Sequence, residues 1–155
     1  MLRKSVLGFA VLVAAVAVPT ALGSMSPVVS AHLSGGTEKP AGPAGGSGLA
    51  VIHLDSKKNL VCWNFTGIKG IGTAAAAHIH KGAAKVAGPV VVPFGAKYSA
   101  KGCIKAPGTA IMALEGKPSA YYVNVHTAKY PGGAIRGQLV PGMTGMAAGT
   151  STNEG

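Results

Sequence analysis

The residues with the clearest chemical potential are histidines. His78-Ile79-His80 sets two imidazoles two positions apart. On a β-strand that spacing turns both rings to one face, whereas on a helix they would point about 200° apart. Two same-face imidazoles are half of a Zn or Cu site. A third comes from the run Ala120–Thr127, which reads Ala-Tyr-Tyr-Val-Asn-Val-His-Thr. Read as a strand, it puts Tyr122, Asn124 and His126 on one face and Tyr121, Val123 and Val125 on the other. Arg136 and Gln138 share a face in the last apolar run, opposite Ile135 and Leu139. His78, His80 and His126 are therefore candidate ligands for a divalent transition metal, with Tyr122, Asn124, Arg136 and Gln138 as a supporting polar network. The same side chains have a plainer use, as a hydrogen-bonded network that pins loops to the sheet and fixes register.

Other chemistry is poorly supplied. Glu38, Asp55, Glu115 and Glu154 are the only acids in the chain, and no spacing among them suggests the carboxyl pair, roughly 5–10 Å apart, that glycoside hydrolysis needs. There is no Gly-x-Ser-x-Gly nucleophile elbow. The chain therefore reads as a binding or structural protein. The alternative is a small extracellular metalloenzyme, hydrolytic or superoxide dismutase-like, using the same His cluster. The dismutase version would need Asp55 on zinc and has no bridging His to assign.

These residues need a sheet to position them, and the composition supplies one. Gly (24) and Pro (10) punctuate the 155 residues too often for long helices, given helix-interior costs of about 1 and 3 kcal/mol. Short alternating runs fall between the breaks: Val28–Ser34, Gly48–Asp55, Asn59–Thr66, Thr73–His80, Pro89–Phe94, Thr109–Glu115, Ala120–Thr127 and Ala134–Val140. About eight strands in one domain predict an all-β fold, an antiparallel β-sandwich or flattened Greek-key barrel. Ala74–Ala77 favours helix by propensity, but Gly72 and Gly82 leave little room, so strand is retained. Asp55-Ser56-Lys57-Lys58-Asn59 reads as a hairpin turn.

The N-terminus has the form of an export signal: Arg3 and Lys4, an uncharged apolar run from Val6 to Val18, then Ala21-Leu22-Gly23 as a cleavage site. Val29-Ser30-Ala31 offers a second site. The run of thirteen is short of the ~20 residues of a membrane span. The expected layout is a signal peptide at 1–23, a β domain at 28–140 and a disordered tail at 141–155, in a secreted protein with no membrane span in its mature form. In that setting Cys62 and Cys103 are expected to form a disulfide. Removing Arg3 and Lys4 lowers the net charge from +10 to +8. The lysines are scattered, without the basic cluster and stacking aromatics of a nucleic-acid site, so no nucleic-acid partner is expected. An extracellular protein or an anionic envelope polymer is the expected partner.

Several runs carry a resemblance. His32-Leu33-Ser34-Gly35-Gly36-Thr37-Glu38-Lys39-Pro40, Ala76-Ala77-His78-Ile79-His80-Lys81-Gly82 and Gly88-Pro89-Val90-Val91-Val92 occur in that order. Tyr122-Val123-Asn124-Val125-His126-Thr127 and Pro131-Gly132-Gly133-Ala134-Ile135-Arg136-Gly137-Gln138-Leu139 follow. Together they resemble the CHRD domain, named for chordin and found also in exported bacterial proteins. The resemblance covers roughly residues 32–140 and implies one extracellular β-sandwich-like domain with no established enzymatic reaction. Its His-x-His and Asn-x-His are intact here. The family often has Glu where Ala134 stands and Val where Lys39 stands, so any role of that carboxylate is absent.

Overall fold

A computed structural model describes residues 27–142 of the chain. The export segment expected at 1–23 lies outside the described residues, as does the tail expected at 141–155 from residue 143 on, while Pro141 pairs with Val29. In chain order come β1 (Val28–Ser34), β2 (Ser47–Asp55), β3 (Leu60–Lys69), β4 (Ala74–Lys81), β5 (Val90–Pro93) and β6 (Lys101–Lys105). The helix α1 (Gly108–Gly116), then β7 (Tyr121–Thr127), β8 (Ile135–Gln138) and β9 (Val140–Pro141) follow. Short 3-10 turns at Gly35–Thr37 and Pro118–Ala120 complete the elements.

The strands form where apolar side chains recur every second residue. β1 buries Val29, Ala31 and Leu33, β2 Ala50, Ile52 and Leu54, and β3 Val61, Trp63 and Phe65. Each large aliphatic side chain taken fully from water contributes about 1.5–3 kcal/mol, enough to hold register against a one-residue slip that would expose the whole row. The strands pair in the order β5-β4-β7-β8-β1-β2-β3-β6, with β9 added against β1. All pairs are antiparallel, and the sheet curls into a half-barrel. This is the all-β, disulfide-linked architecture expected from the sequence.

The chain between β5 and β6 spans the open side. Phe94 N–H and Tyr98 N–H donate to Ala77 and Ala75 on β4, while Ala100 C=O accepts from Phe65 on β3. Trp63 stacks on Phe94 with ring centroids 4.5 Å apart, and its indole N–H donates to Ser99 C=O at 2.9 Å. A buried aromatic pair thus ties β3 to the segment that follows β5. Cys62 and Cys103 face each other across β3 and β6 and are disulfide-bonded.

Two local expectations are corrected. Thr109–Glu115 is not a strand: it lies within α1, which packs on β2 and β3 and buries Ile111 and Leu114. Ala, Met, Leu and Glu in Thr-Ala-Ile-Met-Ala-Leu-Glu favour helix, and the two buried residues have helical i, i+3 spacing. Conversely Lys101–Lys105 is a strand, β6, that was not foreseen. It is an edge strand of five residues in which Lys101 and Lys105 bracket Gly102, Cys103 and Ile104, so its apolar signal is weak.

Candidate metal centre

The alternation that fills the core with Ala77, Ile79, Val123, Val125 and Ile135 turns the intervening residues of β4, β7 and β8 to the outer face. His78 pairs in register with Asn124, His80 with Tyr122 and Ala76 with His126, while Asn124 and Tyr122 pair on their other side with Arg136 and Gln138. The seven candidate residues therefore stand together on three adjacent strands. This face is not left open. His80, Asn124 and Arg136 are buried beneath the connections that follow β1, β4 and β7.

The polar side chains hold those connections down. Arg136 donates to Val86 C=O at 3.1 Å and to Ala83 C=O at 3.2 Å, and its guanidinium lies 3.6 Å over the Tyr122 ring. Gln138 donates to Gly82 C=O and Ser119 C=O, both at 2.8 Å. The Tyr122 hydroxyl accepts from Gly88 N–H at 3.2 Å. Gly88 runs so close to Lys81 C=O that a Cβ would collide with it. This close approach needs glycine, and it brings Gly88 C=O onto His80.

The three imidazoles converge. One ring nitrogen from each lies within 4.8 Å of the other two. His78 Nδ1 is 3.1 Å from His126 Nε2, which is 3.0 Å from Asn124 Oδ1. His80 Nδ1 lies 2.9 Å from Gly88 C=O, and His126 Nδ1 lies 2.9 Å from Pro131 C=O. A carbonyl only accepts, so the network assigns a proton to each of those Nδ1 atoms. In the neutral rings both Nε2 lone pairs are then free. His80 Nε2 is buried without any partner, and its ring stacks on Tyr122 at 4.8 Å, which fixes its plane.

Electrostatics favour the neutral form of His78 and His126. Burial, with His126 and then His80 nearby, pushes the His78 pKa down to about 4. Burial also lowers that of His126, against the Pro131 hydrogen bond that raises it. Neutral imidazole is the form that ligates metals.

One participant was not foreseen. Glu38, at the end of the Gly35–Thr37 turn, is buried, and its Oε1 has no partner. Burial raises its pKa, while the Lys39 N–H, the Arg136 guanidinium and the Asn124 amide favour the ionised form. Gly133 makes room for it: the backbone there has φ of +136°, and a Cβ would strike the carboxylate. An acid between a glycine turn and Lys39-Pro40 gives no sequence sign of burial. Asp55 stays apart from the cluster. It sits at the β2–β3 turn, accepting from Lys58 N–H at 2.8 Å and pairing with the Lys58 ammonium at 3.3 Å.

What the arrangement can do is hold a small cation between imidazole nitrogens. Ligands bonded at the roughly 2.0–2.1 Å of a Zn–N bond lie about 3.3 Å from one another in a tetrahedron, close to the 3.1 Å between His78 Nδ1 and His126 Nε2, while the three ring nitrogens as a set lie within 4.8 Å. Anchoring of the remote ring N–H on a carbonyl is the usual outer support of a ligating histidine. Among the described residues no helix is long and apolar enough to cross a membrane. No curated protein and no solved structure matches the chain. Residues 29–139 match the family model of the CHRD domain, and with most of its length so covered the chain belongs to the CHRD domain family.

Proposed function

We propose that this CHRD protein is an exported binding or structural module whose outer-face cluster of His78, His80 and His126 binds one Zn or Cu ion. The observation that carries the reading is the buried, partnerless Nε2 of His80, whose Nδ1 is anchored on Gly88 C=O within reach of two further imidazoles. A buried polar atom without a partner costs about 1–3 kcal/mol, a cost that a bound cation removes. A purely hydrogen-bonding role would leave that atom unexplained.

The disulfide supports export to an oxidising compartment. Cleavage after Gly23 leaves β1 whole, whereas cleavage after Ala31 would remove its first four residues and the buried Val29 and Ala31. With the net charge near +8 in the processed form, an extracellular protein or an anionic envelope polymer is the proposed partner.

The test is elemental analysis of untagged mature protein after dialysis against Zn or Cu and removal of excess metal. One ion per chain is expected, with none retained by the His78→Ala/His80→Ala/His126→Ala variant. Equal, negligible metal in both proteins would end the reading.

A further inference from the structure

We infer that Tyr122 is a positioning residue of this centre: it holds Gly88 where the glycine carbonyl takes the Nδ1 proton of His80, and so selects Nε2 as the atom His80 offers to the ion. The inference rests on the metal reading and deepens it, because it assigns the choice of ligating atom to a side chain outside the donor set.

A neutral histidine carries its proton on either ring nitrogen, and in water the Nε2–H form is the commoner one. In His80 that form would put a hydrogen where the ion belongs. It would also leave the Nδ1 lone pair facing Gly88 C=O, 2.9 Å away, as two opposed acceptors. The hydrogen bond made at one nitrogen decides which form is present. Here that bond depends on the place of a single carbonyl oxygen. The backbone carrying it lies in the connection between β4 and β5, outside either strand.

Three contacts close a ring around that oxygen. The His80 ring lies on the Tyr122 ring, with centroids 4.8 Å apart and planes 5° from parallel. The Tyr122 hydroxyl accepts from Gly88 N–H at 3.2 Å, and Gly88 C=O meets His80 Nδ1 at 2.9 Å. Tyr122 therefore fixes the imidazole and its carbonyl partner together. Tyr122 is itself held in place. It is 3% exposed on β7, between β4 and β8, with the Arg136 guanidinium from β8 lying 3.6 Å over its ring. The connection also begins against this ring, since a Cβ at Gly82 would come 3.1 Å from Tyr122 Cε1. Gly82 and Gly88 thus seat both ends of the connection on one side chain.

Two neighbours provide comparisons. His126 Nδ1 faces Pro131 C=O at 2.9 Å, in the connection after β7, so its proton is set without Gly88. Gln138 holds Gly82 C=O and Ser119 C=O, each at 2.8 Å, so it grips the same connection as Tyr122 at another point. Loss of the Tyr122 hydroxyl should therefore act on His80 alone. Loss of the Gln138 amide should loosen the connection and leave the His80 proton where it is.

The test reads the histidine tautomers of the metal-free mature protein by long-range proton–nitrogen correlation NMR, above the imidazole pH range, and Zn affinity by chelator competition. It compares wild type, Tyr122→Phe and Gln138→Ala. Tyr122→Phe keeps the ring between Arg136 and His80 and loses only the hydroxyl. Wild-type His80 is expected in the Nδ1–H form. In Tyr122→Phe part of it should pass to Nε2–H, with His126 unchanged, and Zn binding should weaken at least about 10-fold. Gln138→Ala should keep the wild-type tautomers. Wild-type His80 in the Nε2–H form overturns the inference, and so does an unchanged His80 tautomer in Tyr122→Phe. An equal shift in Gln138→Ala, or a shifted tautomer with unchanged Zn affinity, overturns it too. These results leave the metal reading to stand on Zn uptake by the wild type. A wild type that takes up no Zn overturns both.

Discussion

His78 loses most by being charged in the folded state, since burial and two neighbouring imidazoles hold its pKa at about 4 against an ordinary 6.5. Between those values the unfolded chain takes up a proton that the folded chain does not, so the metal-free protein loses stability as pH falls from 6.5 toward 4. His126 acts in the same direction. Glu38 acts in the opposite one, because its raised pKa makes stability fall as pH rises just above the ordinary 4.5. His78→Gln removes the largest histidine contribution and should flatten the loss on the acid side. Urea midpoints across this range, in chelator, check this; equal pH slopes in wild type and His78→Gln would contradict it. Gly133→Ala bears on the Glu38 pocket. Its positive φ and the carboxylate contact predict a loss of more than about 1 kcal/mol, read as a lower thermal midpoint. An unchanged midpoint would mean that Glu38 does not occupy that space.

At the level of elements, the period-two pattern was legible wherever one face is apolar and the other polar. β4 and β7 follow it closely: Ile79, Val123 and Val125 fill the core, while His78, His80, Asn124 and His126 line the outer face. The candidate residues could be grouped from sequence because strand alternation is a local property. Their covering loops could not, because Gly88 C=O, Pro131 C=O and Glu38 enter through irregular backbone with no periodicity to read. The strand expected at Thr109–Glu115 failed for another reason. A short apolar run satisfies two periods at once, and the good helix formers in α1 decided in favour of helix. Leu114, fully buried under that helix, gives a direct check. Leu114→Ala should cost about 2–5 kcal/mol in chemical denaturation, whereas the exposed Met112→Ala should cost well under 1 kcal/mol. Equal effects would place the buried side of the helix elsewhere.

For the whole molecule, two devices stand at different parts of the sheet. The disulfide joins β3 to the edge strand β6, closing a sequence separation of 41. In the chain-entropy account that stabilises by about 4 kcal/mol. The histidine cluster belongs to β4 and β7, toward the other edge. Replacing both cysteines by Ala should therefore lower the unfolding free energy while leaving metal affinity unchanged in the folded protein. Loss of affinity at a temperature where that variant is folded would show that the two regions are coupled. The family assignment agrees with a binding or structural module. An ion held by three imidazoles would be seen by anomalous diffraction from Zn-soaked crystals of the mature protein. One anomalous peak is expected, about 2.0–2.1 Å from a ring nitrogen of each of His78, His80 and His126. Crystals that bind Zn elsewhere, or show no peak among these rings, would contradict it.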